Sequence, residues 1–367
     1  MADVLAGTRG STPAPMADEN VIEVRDLHVH FFTPLGVVTA LNGVSFSIPR
    51  GKVLGVVGES GCGKSITGLG ILQLVPHPGK IMSGEILFRG RAGNPVNLVD
   101  FERNSADIRT IRGKSISMIF QEPMTSLNPV YTIGNQIGEA ILLHQTPDEK
   151  EARAQSIQIL QRVGMPNPDR VVDQYPHELS GGMRQRAMIA MALSCHPDLL
   201  IADEPTTALD VTTEAQILDL IRELQSEIGM SIMYVTHNLG VVAQTCDEVA
   251  VMYLGRIVER ANIDDTFYDP KHPYTTSLLR SIPRLGRHRK ERLEVIRGSL
   301  PDPYSSISGC PFHPRCPSAI PGLCERVMPL QTTVEGKQDH TVRCHLYPGS
   351  IPNGASGPAA GATSASA

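Results

Sequence analysis

Eight consecutive residues carry the first chemistry in this sequence. Gly58-Glu59-Ser60-Gly61-Cys62-Gly63-Lys64-Ser65 fits the spacing G-x-x-x-x-G-K-[ST], in which glycines let backbone N–H groups turn inward around phosphate oxygens. The run follows an apolar stretch at 52–57 and precedes a helical pattern at 66–74, so a helix N-terminus adds partial positive charge where phosphates would lie. Lys64 is placed to reach the β- and γ-phosphates of a nucleotide, and Ser65 to ligate Mg²⁺. Gly58, Ser60, Gly61, Cys62, Gly63 and Ile66 complete the expected cradle, with the Cys62 side chain packed away from nucleotide. A chance glycine-rich turn would not bring a strand before it and a helix after it.

A second candidate is the apolar stretch Leu199-Leu200-Ile201-Ala202, which ends in Asp203-Glu204. A buried strand that delivers two carboxylates beside a phosphate loop suits Mg²⁺–ATP hydrolysis: Asp203 can hold the metal through water, and Glu204 can polarise the attacking water. Alone the pair is weak, because acidic residues commonly begin the loop after a strand. A third candidate is Cys310, Cys316, Cys324 and Cys344. In a reducing compartment such a group suits a metal better than disulfides. Four thiolates are the number that tetrahedral Zn²⁺ or a [4Fe–4S] cluster takes, but the spacing is not the paired C-x2-C of a zinc ribbon. Zinc with His313, His340 or His345 as substitute ligands, a cluster and free thiols all remain open on spacing alone.

The elements that must position these residues form a recognisable pattern. Short apolar runs at 52–57, 116–120, 199–202, 231–235 and 248–253 read as strands. Helical patterns separate them; in residues 213–228, Ile217, Leu220, Ile221 and Leu224 make one apolar stripe. Such alternation predicts an α/β protein with a largely parallel sheet covered on both faces. Residues 131–175 have helical periodicity and read as a helical insertion. After about Asn262, Pro, His and Cys become frequent and the alternation stops, which marks an expected domain boundary.

The chain has 367 residues, a hydrophobic share of 41% and a net charge of −5. It has room for a sizeable core, and the acidic balance gives no support to nucleic-acid binding. No apolar run approaches the roughly 18–20 residues needed to span a bilayer, and residues 1–20 lack a signal-peptide layout. The expectation is a cytosolic chain; any membrane part of its work must come from other chains. Residues 1–20 and 349–367 are expected to be flexible tails.

Further motifs name a family. Leu179-Ser180-Gly181-Gly182-Met183-Arg184-Gln185-Arg186 closely resembles the signature motif of ATP-binding-cassette ATPases, with Met183 where Gln is usual. Gln121 sits where that family has its Q-loop glutamine, Thr207-Ala208-Leu209-Asp210 resembles its D-loop, and His237 its switch histidine. The resemblance implies a P-loop NTPase fold: a RecA-like core, an antiparallel β portion near the N-terminus and a helical subdomain at about 122–180. It implies head-to-tail pairing with a second ATPase subunit, homologous or identical, so that Ser180, Gly181, Gly182 and Asp210 of one chain close over ATP held by the other. It further implies that His237 touches the γ-phosphate, that Gln121 contacts Mg²⁺ or the water, and that Phe31 stacks on adenine. An apolar core role for Phe31 is the competing reading.

Several stretches resemble the dipeptide/oligopeptide importer ATPases in particular: Gln121-Glu122-Pro123-Met124-Thr125-Ser126-Leu127-Asn128-Pro129, Tyr175-Pro176-His177-Glu178, His272-Pro273-Tyr274-Thr275, and Gly309-Cys310-Pro311-Phe312-His313-Pro314-Arg315-Cys316. The implied layout is a cassette over 21–265 and a C-terminal extension over 266–348 bearing the four-Cys metal site, for which the family favours [4Fe–4S]. The implied partners are two transmembrane permease subunits and an extracytoplasmic peptide-binding protein, with this chain peripheral at the cytoplasmic face of the cell (inner) membrane. Alternatives are the same role for nickel or another small solute, and a soluble cassette ATPase acting outside transport.

Overall fold

The computed structural model describes residues 15–91, 93–121, 126–207, 209–281, 296, 298–305 and 307–352. Residues 1–14, Glu122 to Thr125 of the importer-like stretch, Ala208 of the D-loop-like run and residues 353–367 of the expected tail lie outside the described residues. The strands are, in chain order, β1 (Asn20–Thr33), β2 (Gly36–Pro49), β3 (Val53–Val57), β4 (Gly79–Phe88), β5 (Val96–Asn97) and β6 (Ile116–Ile119). There follow β7 (Leu199–Asp203), β8 (Ser231–Thr236), β9 (Glu248–Tyr253), β10 (Arg256–Asn262), β11 (Thr332–Thr333) and β12 (Thr341–Val342).

They form two sheets. One is antiparallel, ordered β2-β1-β4-β5; the other has eight strands, ordered β11-β12-β10-β9-β3-β8-β7-β6. Within the second, β9, β3, β8, β7 and β6 run parallel, and β10, β12 and β11 continue it in antiparallel pairing. Every residue of β3, β7 and β8 is buried, as expected for central strands covered on both faces.

Period-two alternation decides which core each side chain joins. Leu199 and Ile201 of β7, with Met233 and Val235 of β8, pack toward the antiparallel sheet and Ile71 of the helix Lys64–Ile71. Leu200 and Ala202, with Ile232 and Tyr234, pack against the helices Gly181–Leu193 and Val211–Ile228. Fully buried Leu200 is thus a site where truncation to alanine costs about 2–5 kcal/mol.

The helical insertion consists of Ile133–His144, Glu149–Arg162 and the short turn Pro168–Val171. Thr132 and Asp148 cap the first two by accepting backbone N–H groups. Among the described residues no helix is long and apolar enough to cross a membrane.

The change of composition after Asn262 does not interrupt the sheet. Thr341-Val342 of β12 pairs with Arg260 and Glu259 of β10. Buried Glu259 ties the junction further: it accepts the N–H groups of Lys271 and His272, and His340 Nε2 lies 2.7 Å from its carboxylate. Burial alone would raise this carboxyl, but His340 and the two backbone donors override it and hold it low. Packed structure begins before Val21 and runs past Pro348, since Met16 and Ser350 are both buried.

Candidate functional site

In the parallel part of the sheet β3 lies between β9 and β8, so the loops after β3, β6, β7 and β8 emerge at one carboxyl edge. The loop after β3 makes its turns with Gly58, Gly61 and Gly63, all at positive φ. Two of these glycines are required by close approach as well as by φ: a Cβ on Gly58 would lie 2.2 Å from the Met252 carbonyl oxygen, and one on Gly63 would lie 2.6 Å from that of Ala40. Lys64 is buried, and its ammonium donates to the carbonyls of Gly58 (2.8 Å) and Glu59 (3.1 Å). Ser60 and Gly61 are exposed at the rim, while half-buried Ile66 packs on the core. The Cys62 side chain is buried, and burial pushes its thiol up.

Ser65 Oγ donates to Asp203 Oδ1 at 3.0 Å. Burial raises the Asp203 carboxyl above its ordinary range, with the Ser65 bond opposing. A hydroxyl and a costly buried carboxylate side by side are the oxygen donors that Mg²⁺ takes, so the residues present fit that ion.

Glu204 is the hub of the edge. Its Oε2 accepts from Gln121 Nε2 at 3.0 Å and from Thr207 Oγ1 at 2.9 Å, while His237 Nδ1 lies 2.9 Å from Oε1. Three loops, after β6, β7 and β8, thereby meet on one carboxylate. Burial opposes its ionisation, but the bonds from His237 and Thr207 override this and lower Glu204 below its ordinary value. Neighbouring acids are thus pushed in opposite directions by their surroundings. Glu204 also sits at φ 46°, a left-handed conformation that costs a non-glycine residue about 1–3 kcal/mol and is held here by the bond from its N–H to the Val235 carbonyl. In the sequence Thr207 stands only as part of a D-loop-like run, and no pattern there signals its hydroxyl contact.

Other expected residues stand apart. Ser180 caps the helix Gly181–Leu193 by accepting the Met183 N–H, and Ser180 and Gly181 are exposed. Asp210 caps the helix Val211–Ile228, accepting from the N–H groups of Thr212 and Thr213 and from the Thr213 hydroxyl. Gly182 lies against Thr213, where a Cβ would come 3.2 Å from the Thr213 methyl. The structure therefore brings Gly182 close to the Asp210 cap. Among the described residues no hydrogen bond joins Ser180, Gly181 or Gly182 to the phosphate loop of the same chain. The link to the site is indirect: the buried Gln185 amide donates to the Pro205 carbonyl, just after Glu204.

Phe31 is half-buried and packs on the core, with its ring edge against Gly79. The more exposed ring belongs to Phe32, over which Lys80 Nζ lies 5.9 Å from the centroid.

The four clustered cysteines are gathered in space. Cys310 N–H donates to the Cys324 carbonyl at 2.8 Å, and Cys310, Cys316 and Cys324 pack in one apolar cluster. Burial pushes the Cys310 thiol up to about 11 and the Cys344 thiol up to about 12, and neighbouring thiols of the same group add to both shifts. Among the described residues, however, no group of three or more His, Cys, Asp or Glu is arranged so that it could hold a metal ion, so the expected four-Cys metal site is not seen as such. The candidate substitute histidines are engaged elsewhere: His313 with the Cys310 carbonyl, His340 with Glu259 through Nε2 and with Asp265 at 3.8 Å through Nδ1, and His345 with the Val327 carbonyl.

Comparison with known proteins identifies the family of the chain. The family model described as "ABC transporter" matches residues 41–207, and that described as "Oligopeptide/dipeptide transporter, C-terminal region" matches residues 258–324. A probable peptide ABC transporter ATP-binding protein of Sinorhizobium fredii is 49% identical over 331 residues, covering 90% of this chain and 96% of that protein. The dipeptide transport ATP-binding protein DppD of Bacillus subtilis is 50% identical over 329 residues, 89% of this chain and 95% of that one. The oligopeptide transport ATP-binding protein OppD of Salmonella typhimurium is 47% identical over 327 residues, with coverage of 89% and 95%. Among solved structures, cbiO1 of Clostridium perfringens, part of the ABC transporter complex cbiONQ, is similar with a TM-score of 0.56, 29% identity and coverage of 69% and 92%. The dimeric cassette MJ0796 bound to ADP and Pi, at 24% identity and TM-score 0.56 over 66% of this chain and 98% of that one, has the same fold.

Proposed function

The chain belongs to the ATP-binding subunits of ABC transporters, in the branch that carries the oligopeptide/dipeptide C-terminal region, and on that premise we propose that it couples ATP hydrolysis to the import of dipeptides or oligopeptides. The observation that carries the mechanism is the convergence of Lys64, Ser65, Asp203, Gln121, Glu204 and His237 at one sheet edge.

Lys64 and the loop N–H groups take the β- and γ-phosphates. Ser65, Asp203 and Gln121 would hold Mg²⁺, which supplies neutralisation of phosphate charge when bound. Glu204 orients the attacking water, and His237 fixes Glu204 while facing the γ-phosphate. Phe31, half-buried near the start of the cassette, is the ring assigned to stack on adenine. Ser180, Gly181, Gly182 and Asp210 serve the nucleotide of a second ATPase subunit, homologous or identical, in a head-to-tail pair; the exposure of Ser180 and Gly181 supports this. Two membrane permease subunits would receive the motion through the helices Ile133–His144 and Glu149–Arg162, with an extracytoplasmic binding protein delivering peptide to them. On this reading the chain works at the cytoplasmic face of the membrane.

The four cysteines are proposed to hold a [4Fe–4S] cluster with a structural role. What supports this reading is the gathering of the four residues: Cys310, Cys316 and Cys324 share one apolar cluster, and all three lie near enough to Cys344 to act on its thiol. Anaerobic purification tests it: colourless, iron-free protein overturns the assignment.

The transport reading is tested by uptake of labelled di- and oligopeptides, with nickel alongside, in cells carrying the protein or its Glu204→Gln form at equal level. Peptide uptake lost and nickel unaffected is the expected result. Loss of nickel uptake alone would replace the substrate, and no change in either would overturn the role in both.

A further inference from the structure

Glu59, the second residue of the phosphate loop, is gripped by the C-terminal extension. Its carboxylate makes a bidentate ion pair with Arg315, at 2.6 Å from Nη1 to Oε2 and 3.0 Å from Nη2 to Oε1. The Arg315 side chain is 5% exposed, and Nη1 also donates to the Tyr253 hydroxyl at 3.4 Å. The backbone of Glu59 is held independently: its N–H donates to the Tyr274 hydroxyl at 2.9 Å, and its carbonyl accepts from Lys64. One residue of the loop is therefore fixed at its N–H, its carbonyl and its side chain.

Both outside anchors stand on rigid ground. Arg315 lies in the short turn His313–Arg315, between Cys310 and Cys316. Tyr274 lies in the first turn of the helix Pro273–Arg280. The rings of Tyr253, Tyr274 and Phe312 pack on one another with centroids 4.7–5.4 Å apart and are fully buried. Planar bidentate pairing restricts direction as well as distance, and a ring cluster leaves little rotamer freedom.

We propose that Arg315 and Tyr274 are positioning residues for the phosphate loop, so that the cysteine-bearing extension sets the affinity of this chain for MgATP. Two physical effects act together. Fixing the loop before nucleotide arrives removes part of the ordering cost of binding. Pairing Glu59 with Arg315 also neutralises a carboxylate on a loop that must receive phosphate charge. The inference rests on reading this loop as the nucleotide site, which the wild-type measurement below tests by itself.

The experiment is MgATP affinity, by calorimetry, of the purified full chain and its variants Arg315→Met, Arg315→Lys, Glu59→Gln, Tyr274→Phe and the Arg315→Met/Glu59→Gln double, each with its melting temperature. Arg315→Met is expected to weaken MgATP by about tenfold or more, since the loop loses a fixed point and gains an unpaired charge. Arg315→Lys should recover part of that loss, because one point charge replaces a two-pronged contact. The double variant should bind better than Arg315→Met alone, because the stranded carboxylate has gone. Tyr274→Phe removes one hydroxyl from a packed ring and should weaken MgATP several-fold with its melting temperature nearly unchanged. Wild type that fails to bind MgATP would sink the nucleotide reading itself. Wild type that binds, with Arg315→Met and Tyr274→Phe binding equally well, would overturn the positioning role. So would losses that appear only in proportion to lowered melting temperature.

Discussion

His237 and Glu204 meet at 2.9 Å across the gap between the ends of β8 and β7, although the carboxylate is nearly enclosed and the imidazole is 60% exposed. The histidine thus holds the carboxylate from the open side of the site, while Gln121 and Thr207 share the other oxygen. This arrangement determines how substitutions there should behave.

Glu204→Gln keeps the size of the side chain and much of its hydrogen bonding but removes the charge that polarises water. Phosphate release should fall by roughly 10²–10⁴-fold, the usual contribution of a positioned base. MgATP affinity should stay within a few-fold of wild type. A variant that still turns over at a comparable rate would show that the water is activated elsewhere.

Thr207→Val removes one donor from ionised Glu204. The Glu204 carboxyl is held low by His237 and Thr207 against burial, so losing the Thr207 bond raises it. Activity needs the ionised form, and the acid limb of the pH–rate profile should therefore move toward higher pH. A profile superimposable on wild type would separate Thr207 from the protonation state of Glu204.

Ser180 has two roles that can be split. Ser180→Ala loses the cap of the helix Gly181–Leu193, which costs about 1 kcal/mol, and also loses a hydroxyl for a facing nucleotide. Ser180→Asp keeps a capping oxygen but would set a negative charge against the γ-phosphate. Its melting temperature should match wild type while ATP-dependent dimerisation, followed by light scattering, is lost. Dimerisation intact in the aspartate variant would mean that Ser180 is only a cap.

The junction at Glu259 predicts a pH dependence of stability. Burial lowers His272 from 6.5 to about 4, with the charge of Glu259 opposing. Between these values the unfolded chain binds a proton that the folded chain refuses. Stability contributed by neutral His272 is therefore full above about pH 6.5 and is lost as pH falls toward 4, by up to about 3 kcal/mol at 1.36 kcal/mol per unit. His272 Nδ1 caps the helix Pro273–Arg280 by accepting the Tyr274 N–H, so His272→Asn retains a cap and should flatten the acid decline in urea melts. An unchanged decline would place the titrating group elsewhere.

Much of the frame is legible in the sequence because it rests on local rules. Continuous apolar runs place β3, β6, β7, β8 and β9 to within a residue or two, since strands buried on both faces need apolar residues at every position. The phosphate loop is equally local. Contacts between distant residues leave no periodic trace: Glu59 and Arg315 are 256 positions apart, and either alone reads as a surface charge. β11 and β12, at two residues each, are too short to show alternation, so the joining of the extension to the core sheet was invisible. The burial of Phe31 relative to Phe32 follows from strand geometry rather than from any motif. On a strand, neighbours face opposite ways, and the inward turn of Phe31 leaves Phe32 as the exposed ring.

The pairing of β12 with β10 also orders events during synthesis. A nascent chain that has emerged only as far as Asn262 already contains β3, β6, β7, β8 and β9, and so every strand that frames the carboxyl edge. Its β10 would still offer an unpaired edge, the kind of surface that recruits a neighbouring chain. Arg315 and Val342 arrive later, the first to clasp the loop and the second to seal that edge. On this order of synthesis, the cover for the β10 edge comes from a segment made after the cassette strands. Ribosome-stalled chains ending before and after Val342 should differ in aggregation even where their cassettes are alike.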